Sequence, residues 1–137
     1  MTMPTLRVRD YMQPEPVTVH QATELLRAVR MMIDRDISAM PVIDDSGRLV
    51  GILTERDCIR TVMQAGYHDE SGGPVSRCMT RDVQTMSPDD SLMDAAELFA
   101  DSSIHRCPVV VDDRPVGMIS RRAVLGALTE QSWFTKH

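Results

Sequence analysis

Thr54 and Asp57 are the residues whose types and spacing best suit chemistry at one place. They close the stretch Gly51-Ile52-Leu53-Thr54-Glu55-Arg56-Asp57. The stretch reads as the end of a buried strand, a turn at a hydroxyl residue and the start of a helix. A helix start presents unpaired backbone N–H groups and the positive end of a dipole, which suits a phosphate. A carboxylate three residues after the threonine can accept two hydrogen bonds from a vicinal diol such as a ribose. The same hydroxyl-to-acid spacing is that of a capping box, with Asp in place of the usual Glu or Gln. On these residues alone both readings stand.

Other chemistry finds little support. His20, His68, His105 and His137 are scattered, and Cys58, Cys78 and Cys107 lack the spacing of a zinc site or a disulfide framework. No Gly-rich Rossmann or Walker loop and no paired nucleophile and base are legible, so an enzyme is not expected. No obligatory cofactor and no metal are expected either. A net charge of −5 argues against non-specific nucleic-acid binding, which depends on neutralising phosphates. No apolar run is long enough to span a membrane, and the N-terminal residues lack the apolar region of a signal peptide. With isolated thiols, this predicts a cytoplasmic protein. A hydrophobic content of 42% with 26% charged residues fits a globular domain. Aromatics are only 4% and Met numbers 11, so the core must be aliphatic and thioether-rich.

The elements that must position Thr54 and Asp57 follow from periodicity. Val8 to Met12 is a short amphipathic segment, broken by Pro14 and Pro16. Val17 to Val19 reads as a brief strand. From about Thr23 a helix is predicted, with Leu25, Ala28, Val29, Met32 and Ile33 as its buried stripe and Arg27, Arg30 and Asp34 opposite. Pro41 to Ile43 and Arg48 to Leu53 read as a hairpin across Asp44-Asp45-Ser46-Gly47. A helix from Asp57 to Met63 should turn Ile59, Val62 and Met63 inward.

The chain then repeats itself. Val75 to Met79 echoes Val8 to Met12 at an offset of 67 residues. Leu92, Ala95, Ala96, Phe99 and Ala100 reproduce the helical stripe, and Pro108-Val109 matches Pro41-Val42. After a turn one residue shorter, at Asp112-Asp113-Arg114, the offset is 66. Gly117 then matches Gly51, Ser120 matches Thr54, and Leu125 and Leu128 match Ile59 and Val62. Each unit is too small to bury its own sheet well, so two are expected to pack as one pseudo-twofold α/β module. The repeats read as 8–64 and 75–129, with a polar linker at 65–74 and a tail at 130–137 containing Trp133 and Phe134.

This ordered duplication resembles a tandem cystathionine-β-synthase (CBS) domain pair, a stand-alone Bateman module. It is carried by Ile37 to Val42 and Ile104 to Val109, each Ile-x-x-x-Pro-Val, and by Gly51 to Thr54 and Gly117 to Ser120. The resemblance implies two pseudo-twofold-related repeats, each a small sheet with two packed helices, and up to two clefts for adenosine-containing ligands. AMP, ADP or ATP would be the regulatory ligand, with S-adenosylmethionine an alternative. The first cleft would use Thr54 and Asp57 with Met79, Val83, Gln84, Ile104, His105, Arg106 and Pro108. There Asp57 would hold the ribose, and His105 and Arg106 would lie near the phosphate. An Arg fork and an imidazole beside a helix start suit that anion. The second cleft would use Val17, Ser38, Ala39, Met40, Pro41, Ser120, Arg121 and Ala123. Ala123 stands where the acid should be, so this cleft is expected to be weaker. The module would act on an unnamed protein partner in trans. The alternative is a homodimerisation module with no small-molecule ligand, in which Thr54 and Asp57 are only a cap.

Overall fold

The computed structural model describes residues 6–65 and 72–130. His68 of the linker, and Trp133, Phe134 and His137 of the tail, lie outside them. A short 3-10 helix at Val8–Asp10 is followed by β1 (Gln13–Pro14), β2 (Val19–His20), α1 (Leu25–Arg35), β3 (Ala39–Ile43), β4 (Leu49–Thr54) and α2 (Glu55–Ala65). Then come α3 (Val75–Cys78), α4 (Leu92–Asp101), β5 (Arg106–Val111), β6 (Arg114–Ser120) and α5 (Arg121–Thr129). The fold is the α/β class that the alternating periodicities predict.

Among the described residues, those from Pro16 to Val83 form a first compact unit. Those up to Glu15 join those from Gln84 onward in a second. Each unit holds a three-stranded sheet, ordered β2-β3-β4 in the first and β1-β6-β5 in the second. The hairpins are in matching register, Met40 opposite Leu53 and Cys107 opposite Ile119. A short parallel partner flanks each, β2 on β3 and Met86 beside Val109.

The segment that opens each sequence repeat packs in the other unit. Thr80 pairs with Ile52 on the edge of β4, with N–H···O bonds of 2.9 Å in both directions, and β1 pairs with β6. The two glycines of the repeated motif make this fit. A Cβ on Gly51 would lie 2.6 Å from Met79 Sδ and 2.9 Å from the Thr80 carbonyl oxygen. A Cβ on Gly117 would lie 2.6 Å from Met12 Sδ and 2.9 Å from the Gln13 carbonyl oxygen. Close backbone approach therefore explains why glycine stands at both places. The repeat boundaries divide the chain by similarity, while the units divide it by packing.

Each unit has its own core. Leu25, Ala28, Met32, Met40, Val42, Leu53 and Val75 are buried in the first, and Val8, Leu92, Ala95, Phe99, Val109 and Ile119 in the second. Met32, Met40, Met79 and Met86 are all buried, so these thioethers fill core positions. The hairpin turns differ as their lengths require. Asp112 and Asp113 both have positive φ, 51° and 64°, the two-residue geometry that matches strand twist. The longer first turn is held by the Asp44 carboxylate, which accepts from Ser46 N, Ser46 Oγ and Arg48 N.

The helical faces depart from the sequence reading. Ile59, Val62 and Met63 do not face inward: they are 62%, 40% and 70% exposed, and Cys58 supplies the core contact of α2. Ile33 is 71% and Leu125 62% exposed, and Ala100 is exposed too. A three-stranded sheet of short strands needs only a narrow stripe to cover it, such as Leu25, Ala28 and Met32 at i, i+3 and i+7. The wider apolar face predicted from periodicity exceeds that need.

Candidate functional site

In the first unit the buried residues Gly51, Ile52 and Leu53 carry β4 through the sheet and deliver Thr54 to the surface as α2 begins. Thr54 Oγ1 accepts from Asp57 N at 3.2 Å and donates to Asp57 Oδ2 at 2.9 Å. Thr54 N also donates to Oδ2, at 3.1 Å. This is the reciprocal capping box that the spacing predicts. The structure adds a third group, Thr80, whose Oγ1 lies 3.3 Å from each Asp57 oxygen. Thr80 is held there by its backbone pairing to Ile52.

A carboxylate has about four acceptor positions. Oδ2 takes both Thr54 donors, while among the described residues Oδ1 meets only Thr80, whose single hydroxyl hydrogen can serve one oxygen at a time. Asp57 is half-buried and keeps acceptor capacity on Oδ1. Its carboxylate is thus fixed in orientation and still able to take donors from a ligand. Sequence reasoning missed Thr80. The signal for it was its place in the repeat, since Met79-Thr80 corresponds to Met12-Gln13.

The second unit builds the matching turn differently. Ser120 Oγ accepts from Ala123 N at 3.0 Å and caps α5 without a returning acid. In both units the first N–H of the helix is taken by the residue just before the first strand of the hairpin. Glu55 N donates to Ser38 O at 3.0 Å, and Arg121 N to His105 O at 2.8 Å. The side chains around these bonds differ in character. The first unit offers Glu55, Arg56 and half-buried Asp57, and the second offers His105, Arg106, Arg121 and Arg122, all exposed. Arg121 Nη2 lies 3.3 Å from His105 Nδ1, so the guanidinium donates to an imidazole carrying its proton on Nε2.

The residues named for the first cleft fall in both units. Thr54, Asp57, Met79 and Val83 lie in the first, and Gln84, Ile104, His105, Arg106 and Pro108 in the second. Within the first unit, Thr54, Asp57 and Met79 are brought together through Thr80. Met79 and Pro108 are buried and serve packing, whereas His105 and Arg106 are exposed. For the second cleft, Val17, Ser38, Ala39, Met40 and Pro41 lie in the first unit, and Ser120, Arg121 and Ala123 in the second. Met40 and Pro41 are fully buried. The His105–Arg121 contact joins one residue from each set.

Nucleophilic thiol chemistry is disfavoured at two of the cysteines. Burial pushes the Cys107 thiol up to about 12 and the Cys58 thiol up to about 11, the latter helped by neighbouring Asp57. Cys58, Cys78 and Cys107 are all free thiols. Among the described residues, no three His, Cys, Asp or Glu side chains are grouped to hold a metal ion. Nor is any helix there long and apolar enough to cross a membrane.

Comparison with known proteins accords with this duplicated arrangement. The chain is 27% identical to CBSX2, solved in complex with AMP, with a TM-score of 0.80 over 91% of this chain and 97% of that one. CBSX2 is a CBS-pair protein from Arabidopsis thaliana. The CBS domain pair of protein MJ0100, solved with 5′-methylthioadenosine and S-adenosyl-L-methionine, gives 26% identity and a TM-score of 0.79 over 91% of this chain and 97% of that one. An A-adding tRNA nucleotidyltransferase from Aquifex aeolicus is 32% identical over 125 residues, which are 91% of this chain and 15% of that protein. The chain spans well under half the length of the first curated relatives it matches. The CBS domain model matches twice, over residues 8–64 and 75–130. With each match carrying one copy of the strand, turn and capped helix described above, the chain belongs to the CBS domain family as a tandem pair.

Proposed function

We propose that this CBS pair is a regulatory module that binds an adenosine-containing ligand and changes the behaviour of a protein partner in trans. The observation that carries this reading is Asp57, oriented by Thr54 and Thr80 with acceptor capacity left on Oδ1. In this reading Asp57 takes the ribose hydroxyls and Thr54 stands near the phosphate. Arg106 supplies positive charge for the phosphate and His105 a ring N–H, Val83, Gln84 and Ile104 shape the first site, and Met79 and Pro108 support it from the core. The AMP, 5′-methylthioadenosine and S-adenosylmethionine complexes of similar CBS pairs support the ligand class. AMP, ADP and ATP fit the local group of Arg106, Arg121 and Arg122 better than the cationic sulfonium of S-adenosylmethionine does. A second site with Ser120, Arg121 and Ala123 lacks the acid and binds more weakly. The ligand acts by favouring one arrangement of the protein over another. No catalytic role is assigned, and the free thiols suit a reducing compartment such as the cytoplasm.

The test is thermal shift with AMP, ADP, ATP and S-adenosylmethionine. A rise in melting temperature with an adenine nucleotide, lost in Asp57→Ala, is expected. No response to any of the four at millimolar concentration would overturn the reading.

A second reading has its own observation. Exposed large apolar residues sit on α1, α2, α4 and α5, among them Ile33, Ile59, Met63 and Leu125. Such patches mark interaction surfaces. This favours self-association into a homodimer, alongside ligand binding or without it.

A further inference from the structure

Two histidines use Nδ1 as an acceptor, and they differ in the charge beside them. His20 Nδ1 accepts from Ala22 N at 3.0 Å, and its Nε2 faces the Asp45 carboxylate. His105 Nδ1 faces a cation instead, with Arg121 Nη2 at 3.3 Å. The backbone holds this second pair together, through the 2.8 Å bond from Arg121 N to His105 O. The turn does not require these side chains. At the sequence-equivalent place in the first unit, Glu55 N donates to Ser38 O at 3.0 Å with neither an imidazole nor a guanidinium on the two residues.

The elements that meet at His105 are β5, β6 and α5, and their charged side chains are all basic: Arg106, Arg114, Arg121 and Arg122. Asp101 closes α4 four residues earlier. Neither His105 nor Arg121 makes an ion pair with a carboxylate among the described residues. Arginine stays charged near neutral pH, whereas imidazole is the side chain that changes charge there. With a neutral ring the pair satisfies itself, the guanidinium donating and Nδ1 accepting. A proton on Nδ1 removes that acceptor and leaves two cationic donors side by side. An anionic oxygen is the group that can accept from both.

We infer that His105 and Arg121 form a proton-gated phosphate clasp, in which a nucleotide phosphate binds together with one proton taken from solvent onto His105 Nδ1. The bond from Arg121 to Nδ1 is exchanged for two, one from Nδ1–H and one from the guanidinium, both to phosphate oxygen. The neutral ring becomes an imidazolium, and no other bond is made or broken. Proton and phosphate then favour each other reciprocally. Nucleotide affinity therefore falls as pH rises, and a ligand without a phosphate leaves the pair as it is. This rests on the nucleotide reading above and adds how the site is regulated: it senses pH and phosphate together.

Nitrogen-15 NMR of the histidine rings in the full chain, at about pH 7.5 where imidazoles are still able to take a proton, tests it directly. His105→Asn identifies the signals, by their loss. In the free protein His105 should carry its proton on Nε2 alone. With AMP or ATP both ring nitrogens should be protonated, and with adenosine the ring should stay neutral. Calorimetry should show AMP affinity falling with rising pH by up to about tenfold per pH unit, the limit for one coupled proton. A ring that stays neutral in the bound protein, or is doubly protonated before nucleotide is added, would overturn the clasp and leave nucleotide binding standing. No binding of AMP, ATP or adenosine would overturn the nucleotide reading, and the clasp with it.

Discussion

The two strand-to-helix turns share a plan and differ in their acids, Glu55 and Asp57 in the first standing where Arg121 and Ala123 stand in the second. Thr54 and Ser120 each accept a helix N–H, at 3.2 Å and 3.0 Å, and each follows a glycine pressed against a methionine. Only the first turn carries a carboxylate, held by Thr54 and Thr80. The second carries Ala123 and a run of basic side chains. Since α5 is capped without an acid, the cap alone does not require Asp57. The same box at Ser91 and Asp94 caps α4 and shows that the geometry can also be purely structural. Asp57 differs from Asp94 in its third partner, Thr80. Capping and ligand binding are therefore compatible uses of one carboxylate, through different oxygens.

The comparison can be broken most severely at its glycines. Gly51→Ala and Gly117→Ala should each cost about 1–3 kcal/mol in urea unfolding, because the added methyl overpacks a closed contact. Trimming the methionine in Gly51→Ala/Met79→Ala should not recover the loss, since the Thr80 carbonyl also stands 2.9 Å from the new carbon. A loss no larger than that of a surface substitution would mean the crossed segments are loosely held.

High pH should act on both units next. The Cys58 and Cys107 thiols have folded values raised above the ordinary 9.0, so the folded state holds their protons longer than the unfolded chain does. Stability from this source is complete below about pH 9 and is lost as pH rises toward 11 and 12. Thiol labelling of the native protein should reach half-buried Cys78 first and Cys107 last. Rapid native labelling of Cys107 would contradict its burial.

Ala123→Asp makes the second turn more like the first. An acid in the first turn of α5 should add about 0.3–1 kcal/mol through the helix dipole. A destabilised variant would show that the turns are less alike than their backbones. The smallest effect belongs to Asp44, whose carboxyl lies below its ordinary value because Ser46 and Arg48 donate to it. Its contribution is present above the ordinary carboxylate range and is lost as pH falls through its depressed folded value. Asp44→Ala should remove that part of the acid dependence, and an unchanged acid limb in urea unfolding would refute it.

Much of this was legible because the repeat states it twice. Gly51, Thr54 and Asp57 stand out once Gly117, Ser120 and Ala123 are set beside them, and the shorter turn at Asp112–Asp113 follows from the change in offset. The crossing of the opening segments was not legible. Val8 to Met12 and Val75 to Met79 are alike, so similarity cannot say which sheet each covers; only the fit of Met79 to Gly51 and Met12 to Gly117 does. Thr80 escaped for the same reason. The outward turn of Ile59 and Met63 escaped because periodicity finds an apolar face without saying whether this chain or another covers it.

The central claim is that Asp57 is used by a ligand and Ser120 is used by the fold. Calorimetric titration of AMP and ATP into the wild type, Asp57→Ala and Ser120→Ala tests it directly. The account predicts binding weakened about tenfold or more in Asp57→Ala, through loss of a charged acceptor. Ser120→Ala should bind nearly as the wild type does and show only a lost cap, about 1 kcal/mol in unfolding. Unchanged binding in Asp57→Ala, or binding lost only in Ser120→Ala, would contradict it.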